Sequence, residues 1–337
     1  MTTPRIAILG DGQMALVAAD ALIEQGASVV LWSHDAPALA DLARTRRSPR
    51  LENFTLPEPV ETQPDATAAI SNADLILSAV PTQFLRPVWT PLAGQLAQNI
   101  PVVSVAKGVE VKTLLTPTRV IADAMGEAED ARPLAALSGP TIAHELALRL
   151  PATMVAASAH ADLAERVQGL FGAPWLRIYA SDDPRGVEIA GAVKNVIALA
   201  AGVVDGLDLG SNAKSALLSR GLAEIARLGA TLGAKPETFF GVAGVGDLAT
   251  TCFSPFGRNR SCGEALGKGE SLDDYLARED CVVEGVPTTK AVTAWSIRLG
   301  VDMPITHAVH AILFEEMAPR DAIGLLMERP VGEERLV

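Results

Sequence analysis

Short apolar runs separated by amphipathic stretches fill the chain up to Tyr179, at residues 6–9, 28–32, 75–80, 102–105, 135–137, 154–157 and 176–179. A strand that is apolar along its whole length has to bury both faces, and strands that alternate with helical stretches are joined by crossovers. The pattern predicts a mainly parallel sheet covered on both sides by helices. After Ser181-Asp182-Asp183-Pro184 such runs nearly vanish, and long Ala/Leu/Gly-rich segments at 186–204 and 212–232 predict helices instead. The acidic, proline-bearing stretch at 181–185 marks the boundary, giving an α/β domain over 1–182 and an all-helical domain over 183–337. The prolines and scattered charges of 49–63 predict a surface loop.

A length of 337 residues accommodates two domains, and 49% hydrophobic against 20% charged residues is enough to pack both cores. The net charge of -12 argues against nucleic acid as the main partner, because no block of Lys and Arg stands ready to displace phosphate counterions. Cys252, Cys262 and Cys281 are odd in number and lack metal-ligand spacing, as expected of free thiols in a reducing compartment. The histidines at 34, 144, 160, 307 and 310 are dispersed, so no metal site is expected. The N-terminal apolar run is too short for a signal peptide, and 196–204 falls short of the roughly 20 residues that span a bilayer. A cytoplasmic protein with no integral membrane segment is the expectation.

Gly10-Asp11-Gly12-Gln13-Met14-Ala15 follows the first expected strand and opens an expected helix. Gly10 permits the tight turn, Gly12 lets backbone approach a pyrophosphate, and Ala15 allows close helix-strand packing. The helix N-terminus attracts the phosphates. The turn is either an ordinary strand-to-helix glycine turn or, as its place after the first strand favours, a dinucleotide site taking NAD or NADP; the fold class expected is a Rossmann-type doubly wound sheet followed by an all-helical C-terminal domain. The second strand ends Leu31-Trp32-Ser33-His34, with Asp35 late for the usual ribose carboxylate, so a 2′-phosphate is permitted. His34 is either part of that site or a solvated loop residue. Phe84, in Val80-Pro81-Thr82-Gln83-Phe84, either walls the nicotinamide or belongs to the core.

Lys194 lies in the middle of GVEIAGAVKNVIALAAG, where Ala190, Gly191, Ile197 and Ala198 share its helical face. An amine so placed either snorkels from the edge of a buried helix or loses charge and transfers protons near neutral pH. Lys107, after a strand and before Gly108, is a solvent-facing terminus or a ligand at the sheet edge. Ser138-Gly139-Pro140-Thr141 follows another strand and offers backbone donors and a hydroxyl to an anion. Asp247 and Thr251 stand four apart on one helix face; Asp247 is an N-cap or the carboxylate that holds Lys194. Arg258-Asn259 offers a guanidinium and an amide suited to a phosphate.

Together these residues resemble the bacterial-type NAD(P)-dependent glycerol-3-phosphate dehydrogenases. The resemblance runs through VLW at 30–32, VPTQF at 80–84, AKG at 106–108, SGPT at 138–141 and GAVKN at 191–195. It continues through GLAE at 221–224, GVGDL ending at Leu248, GRNR at 257–260 and VEG at 283–285. It implies reduction of dihydroxyacetone phosphate to sn-glycerol 3-phosphate for glycerophospholipid synthesis, with Lys194 catalytic and Lys107, Asp247, Asn195 and Thr251 around it. Substrate contacts fall on Lys107, Gly139, Thr141, Arg258 and Asn259. Cofactor contacts fall on Gly10, Gly12, Gln13, Met14, His34, Phe84, Lys107, Ala143, Arg258, Val283 and Glu284. The chain departs from the family at Gln13-Met14, where a small residue and a tryptophan are usual, at His144, and at Arg50-Leu51-Glu52, where a Tyr-Leu-Pro loop is not recognisable. Two alternatives share the plan: a reductase of another carbonyl acid of the ketopantoate type, and an NADPH-binding sensor without chemistry. An apolar face on the helical domain would make a homodimer, but composition does not locate one.

Overall fold

A computed structural model describes residues 3–128, 131–279, 282–330 and 333, and its chain divides into two compact units. The first comprises residues 1–106 and 117–184, the second 107–116 and 185–337.

The first unit is built on an eight-stranded sheet: β1 Arg5–Leu9, β2 Ser28–Trp32, β3 Glu61–Thr62, β4 Leu75–Ser78, β5 Val102–Ser104, β6 Leu134–Ser138, β7 Ala152–Ser158 and β8 Leu176–Ser181. The order is β3-β2-β1-β4-β5-β6-β7-β8. All neighbours run parallel except β6 and β7, which are antiparallel. Strand order reverses at β1 and β4, the switch point at which open α/β sheets bind ligands beyond the strands' carboxyl ends. Register pairs Leu9 with both Trp32 and Ser78, so β1, β2 and β4 end level with one another. The central strands are buried along their length because helices such as Gln13–Glu24 and Ala161–Phe171 cover them. The doubly wound α/β class expected from the apolar runs is the class observed.

The segment 49–63 is not the surface loop that its prolines and charges predict. Leu51, Phe54, Leu56 and Val60 are buried in the sheet's core, and Glu61–Thr62 adds β3 beside β2. Its apolar residues are scattered rather than periodic, so they carry no strand or helix signal. The guanidinium of Arg46 ties the segment down by donating to the Val60 carbonyl at 3.0 Å.

In the second unit the helix Pro184–Gly206 is the centre, buried at every residue from Gly186 to Val204. It is long and apolar enough to cross a membrane by composition, yet its apolar window lies wholly inside the protein. The helix Arg258–Gly267 packs against it backbone to backbone: a Cβ on Gly263 would lie 1.9 Å from the Leu199 carbonyl oxygen. At the start of that helix Asn259 comes close to the turn that carries Asn195: a Cβ on Gly285 would meet Asn259 Oδ1 at 2.8 Å and the Asn195 carbonyl oxygen at 2.9 Å. The stretch 107–116, expected with the first domain, belongs to this unit. Val109 is fully buried in the helical core, and Thr116 Oγ1 donates to Glu188 Oε2 at 2.7 Å.

Candidate active site

Lys194, Asp247, Thr251 and Lys107 meet in the second unit. Asp247 is 1% exposed and places one carboxylate oxygen on each lysine: Lys107 Nζ donates to Oδ2 at 2.6 Å, and Lys194 Nζ donates to Oδ1. Lys194 also donates to Thr251 Oγ1 at 2.6 Å, and that hydroxyl donates back to the Asp247 carbonyl at 2.7 Å. Asn195, next along the helix, donates from Nδ2 to the Lys107 carbonyl at 3.2 Å and so holds the backbone of the second lysine.

The local sequence explains how Asp247 arrives there. The glycine-rich stretch Val242–Gly246 winds as a wide π-type turn, with the Gly246 amide donating to the Gly241 carbonyl at 3.3 Å. The helix Asp247–Phe253 therefore starts already inside helical backbone, and Asp247 makes no cap. Of its two sequence readings, the carboxylate that holds Lys194 is the one observed.

Burial is the largest influence on Lys194 and drives its pKa down; Asp247 resists, and the ammonium of Lys107 adds to the fall. The balance leaves it at about 8, against 10.5 for an ordinary lysine. Burial alone would raise Asp247, but the two ammoniums outweigh it and hold the carboxyl below its usual range. The cluster is therefore a carboxylate clamped between two amines, one of which is poised to exchange a proton close to neutrality.

Around it, Asn259 is buried and accepts the Gly285 amide on Oδ1 at 2.8 Å, at the start of the helix Gly285–Leu299. Its Nδ2 has no partner among the described residues. Arg258 is exposed and donates to the Val282 carbonyl at 3.2 Å. Val283 is buried and Glu284 half-buried at that same helix start. Cys252 is buried next to the cluster, and burial pushes its thiol up to about 12, so it stays protonated. Cys262 is likewise buried, while Cys281 lies outside the described residues.

The remaining sequence candidates lie on the first unit. Gly10 has φ +120, and a Cβ there would meet the Ala79 carbonyl oxygen at 2.7 Å, so the turn after β1 requires glycine. Gly12 is different: its Cβ would project into open space at the uncapped N-terminus of Gln13–Glu24. A side chain would fill that cradle, and a pyrophosphate fits it, taking the first-turn amides as donors. Met14 is half-buried beside the turn. His34 is exposed past β2, while Asp35 is committed as the N-cap of Ala36–Thr45, accepting the Ala38 amide at 3.0 Å. Phe84 is 51% exposed, which removes the core reading for it. Gly139, Thr141 and Ala143 follow β6, although the helix there begins only at Ala143. Ser138 Oγ beside them is buried and has no hydrogen-bond partner among the described residues.

Sequence reasoning missed one pair in this unit. Arg50 Nη1 donates to Asp11 Oδ1 at 3.0 Å, and Gln13 Nε2 donates to the Arg50 carbonyl at 2.6 Å. The separation of 39 residues hides it, and the only available signal is an arginine within a segment that departs from the family pattern.

Two family descriptions match: "NAD-dependent glycerol-3-phosphate dehydrogenase N-terminus" over residues 5–164 and its C-terminus counterpart over 183–324. A protein of Prosthecochloris aestuarii named glycerol-3-phosphate dehydrogenase (NAD(P)+) is 45% identical over 96% of this chain and 98% of its own length. One of the same name from Listeria monocytogenes is 42% identical over 98% and 97%. The crystal structure of a glycerol-3-phosphate dehydrogenase from Coxiella burnetii superposes with a TM-score of 0.92 at 34% identity, covering 97% of this chain and 99% of that one. A ketopantoate reductase from Ralstonia eutropha, at 16% identity and a TM-score of 0.60, shares the fold alone. With both halves matched and relatives aligned almost end to end, the chain belongs to the NAD-dependent glycerol-3-phosphate dehydrogenase family.

Proposed function

We propose that this chain reduces dihydroxyacetone phosphate to sn-glycerol 3-phosphate, using NADPH or NADH, and acts in the cytoplasm to feed glycerophospholipid synthesis. The observation that carries the reading is the single buried carboxylate shared by Lys107 and Lys194. NADH or NADPH, bound with its pyrophosphate at the Gly10–Gly12 turn, would supply the hydride from its nicotinamide ring.

Lys194 protonates the carbonyl oxygen as negative charge develops on it, and takes the proton back in the reverse direction. A pKa of about 8 leaves most of it as ammonium at pH 7 yet makes the proton easy to give up. Lys107 supplies a second positive charge to the developing oxyanion. Asp247 holds both amines in place, and Thr251 restricts the direction of the Lys194 ammonium. Arg258 and the Nδ2 group of Asn259 grip the substrate phosphate, so that binding far from the carbonyl orients it. Gly139, Thr141, Ala143, Val283, Glu284, Met14, His34 and Phe84 take the contacts that the resemblance assigns them. A second copy of the chain is the proposed partner in solution, as a homodimer.

The test is dihydroxyacetone-phosphate-dependent oxidation of NADPH and NADH by wild type and Lys194→Ala. Turnover should fall by about 10² to 10⁴ in the variant. Near-normal kcat in the variant would remove Lys194 as the proton donor. Wild-type turnover of ketopantoate, with none of dihydroxyacetone phosphate, would move the chain to another carbonyl substrate. Tight NADPH binding without turnover of either would leave a sensor.

A further inference from the structure

We propose that Arg50 is the counter-charge that makes the dinucleotide turn of this chain usable, by neutralising Asp11 and lending its spare donors to the cofactor's pyrophosphate. The inference rests on the cofactor reading given above. Asp11 stands between Gly10 and Gly12, almost fully buried, in the turn that a doubly charged pyrophosphate has to approach. A carboxylate at that place repels phosphate at short range, where little water screens it.

Arg50 answers that charge and is itself held by two contacts. Its Nη1 meets Asp11 Oδ1 at 3.0 Å, while Gln13, the first residue of the helix whose N-terminus faces the phosphates, grips its carbonyl at 2.6 Å. Leu51, buried in the core of the sheet, anchors the next residue. The Arg50 backbone is thus fixed on the turn, and its side chain remains 44% exposed. Only Nη1 is engaged; Nε and Nη2 have no acceptor among the described residues, and a guanidinium with two free donors suits a phosphate oxygen.

The pair also identifies which phosphate is served. Both anchors, Asp11 and Gln13, belong to the glycine turn and the start of its helix, where the pyrophosphate common to NADH and NADPH sits. Neither belongs to Ser33-His34 at the end of β2, where the adenosine ribose and its 2′-phosphate lie. Gln13 thereby has a task that a small residue at that position has no reach to perform: it closes the 46–60 segment onto the turn.

Equilibrium binding of NADPH and of NADH, followed by nicotinamide fluorescence at fixed ionic strength, tests this in wild type, Arg50→Gln, Arg50→Lys, Asp11→Asn and the Asp11→Asn/Arg50→Gln double variant. Arg50→Gln should weaken both nucleotides alike, by about tenfold or more. Arg50→Lys, which keeps the charge, should lose less. Removing the carboxylate as well should restore part of the loss, and thermal melting of each variant shows that its fold is intact. Unchanged affinity in Arg50→Gln, a loss confined to NADPH, or no recovery in the double variant would each overturn the proposal. Failure of the wild type itself to bind either nucleotide would overturn the cofactor reading, and the proposal with it.

Discussion

Replacing Asp247 by asparagine keeps the shape of the cluster and removes the negative charge that its two lysines share, so its effect on Lys194 can be worked out in advance. In the wild type Lys194 sits at about 8 because Asp247 partly offsets burial and the repulsion of Lys107. An opposite charge at hydrogen-bond range typically shifts a pKa by about 1 to 3 units. Without it, Lys194 should fall to roughly 5 to 7. The ammonium fraction at pH 7 then drops from about 90% to between roughly 50% and 1%, a loss of about twofold to ninetyfold in the proton donor. The assay is kcat for NADPH-dependent reduction of dihydroxyacetone phosphate between pH 5 and 10, with each variant's melting checked because unpaired buried charges destabilise by about 3 to 5 kcal/mol. The wild-type rate should decline as pH rises through about 8, and Asp247→Asn should move that decline to lower pH. A variant whose decline stays near 8, or shifts upward, would refute the argument that Asp247 sustains the charge of Lys194.

Two further outcomes are expected. Burial pushes Glu224 up to about 7, even though the Ile305 and Thr306 amides and the Thr306 hydroxyl donate to it. The folded chain therefore holds a proton that the unfolded chain releases above pH 4.5, and stability from this group is lost as pH rises through 7. Urea unfolding at pH 5 and pH 8 should show Glu224→Gln gaining on the wild type at the higher pH by on the order of 3 kcal/mol; a constant difference would count against it. Arg258→Leu should raise KM for dihydroxyacetone phosphate by about 10- to 100-fold, the size of a lost charge-assisted hydrogen bond, with a smaller change in kcat. An unaltered KM would free Arg258 of the phosphate.

The sheet was legible because its strands are continuous apolar runs, and the switch to helices at 181–185 because that periodicity stops there. Lys194 stood out through the small residues on its own helical face, and Asp247 and Thr251 through their spacing of four. What local pattern does not carry is pairing at a distance. The choice between cap and clamp for Asp247 depended on a π-type turn that GVAGVG does not announce, and on a lysine 140 residues away. The inward turn of Leu51, Phe54 and Leu56 was hidden because prolines and charges surround them. Lys107 looked like a strand terminus, but β5 ends at Ser104 and the next residues leave for the helical core.

That departure has a consequence for how the protein is made and taken apart. The stretch 107–116 is synthesised well before the helices it joins, so the chain runs from the first unit to the second, returns, and crosses again after Pro184. A fragment cut at the apparent boundary would carry Lys194 and Asp247 but leave behind Lys107 and Val109, an ammonium of the cluster and a plug of the helical core. The second half of the gene alone does not encode the whole helical unit. The helical unit reaches completion only when a short, early piece of chain waits for residues that emerge from the ribosome much later, a long-range closure that couples the folding of the two halves.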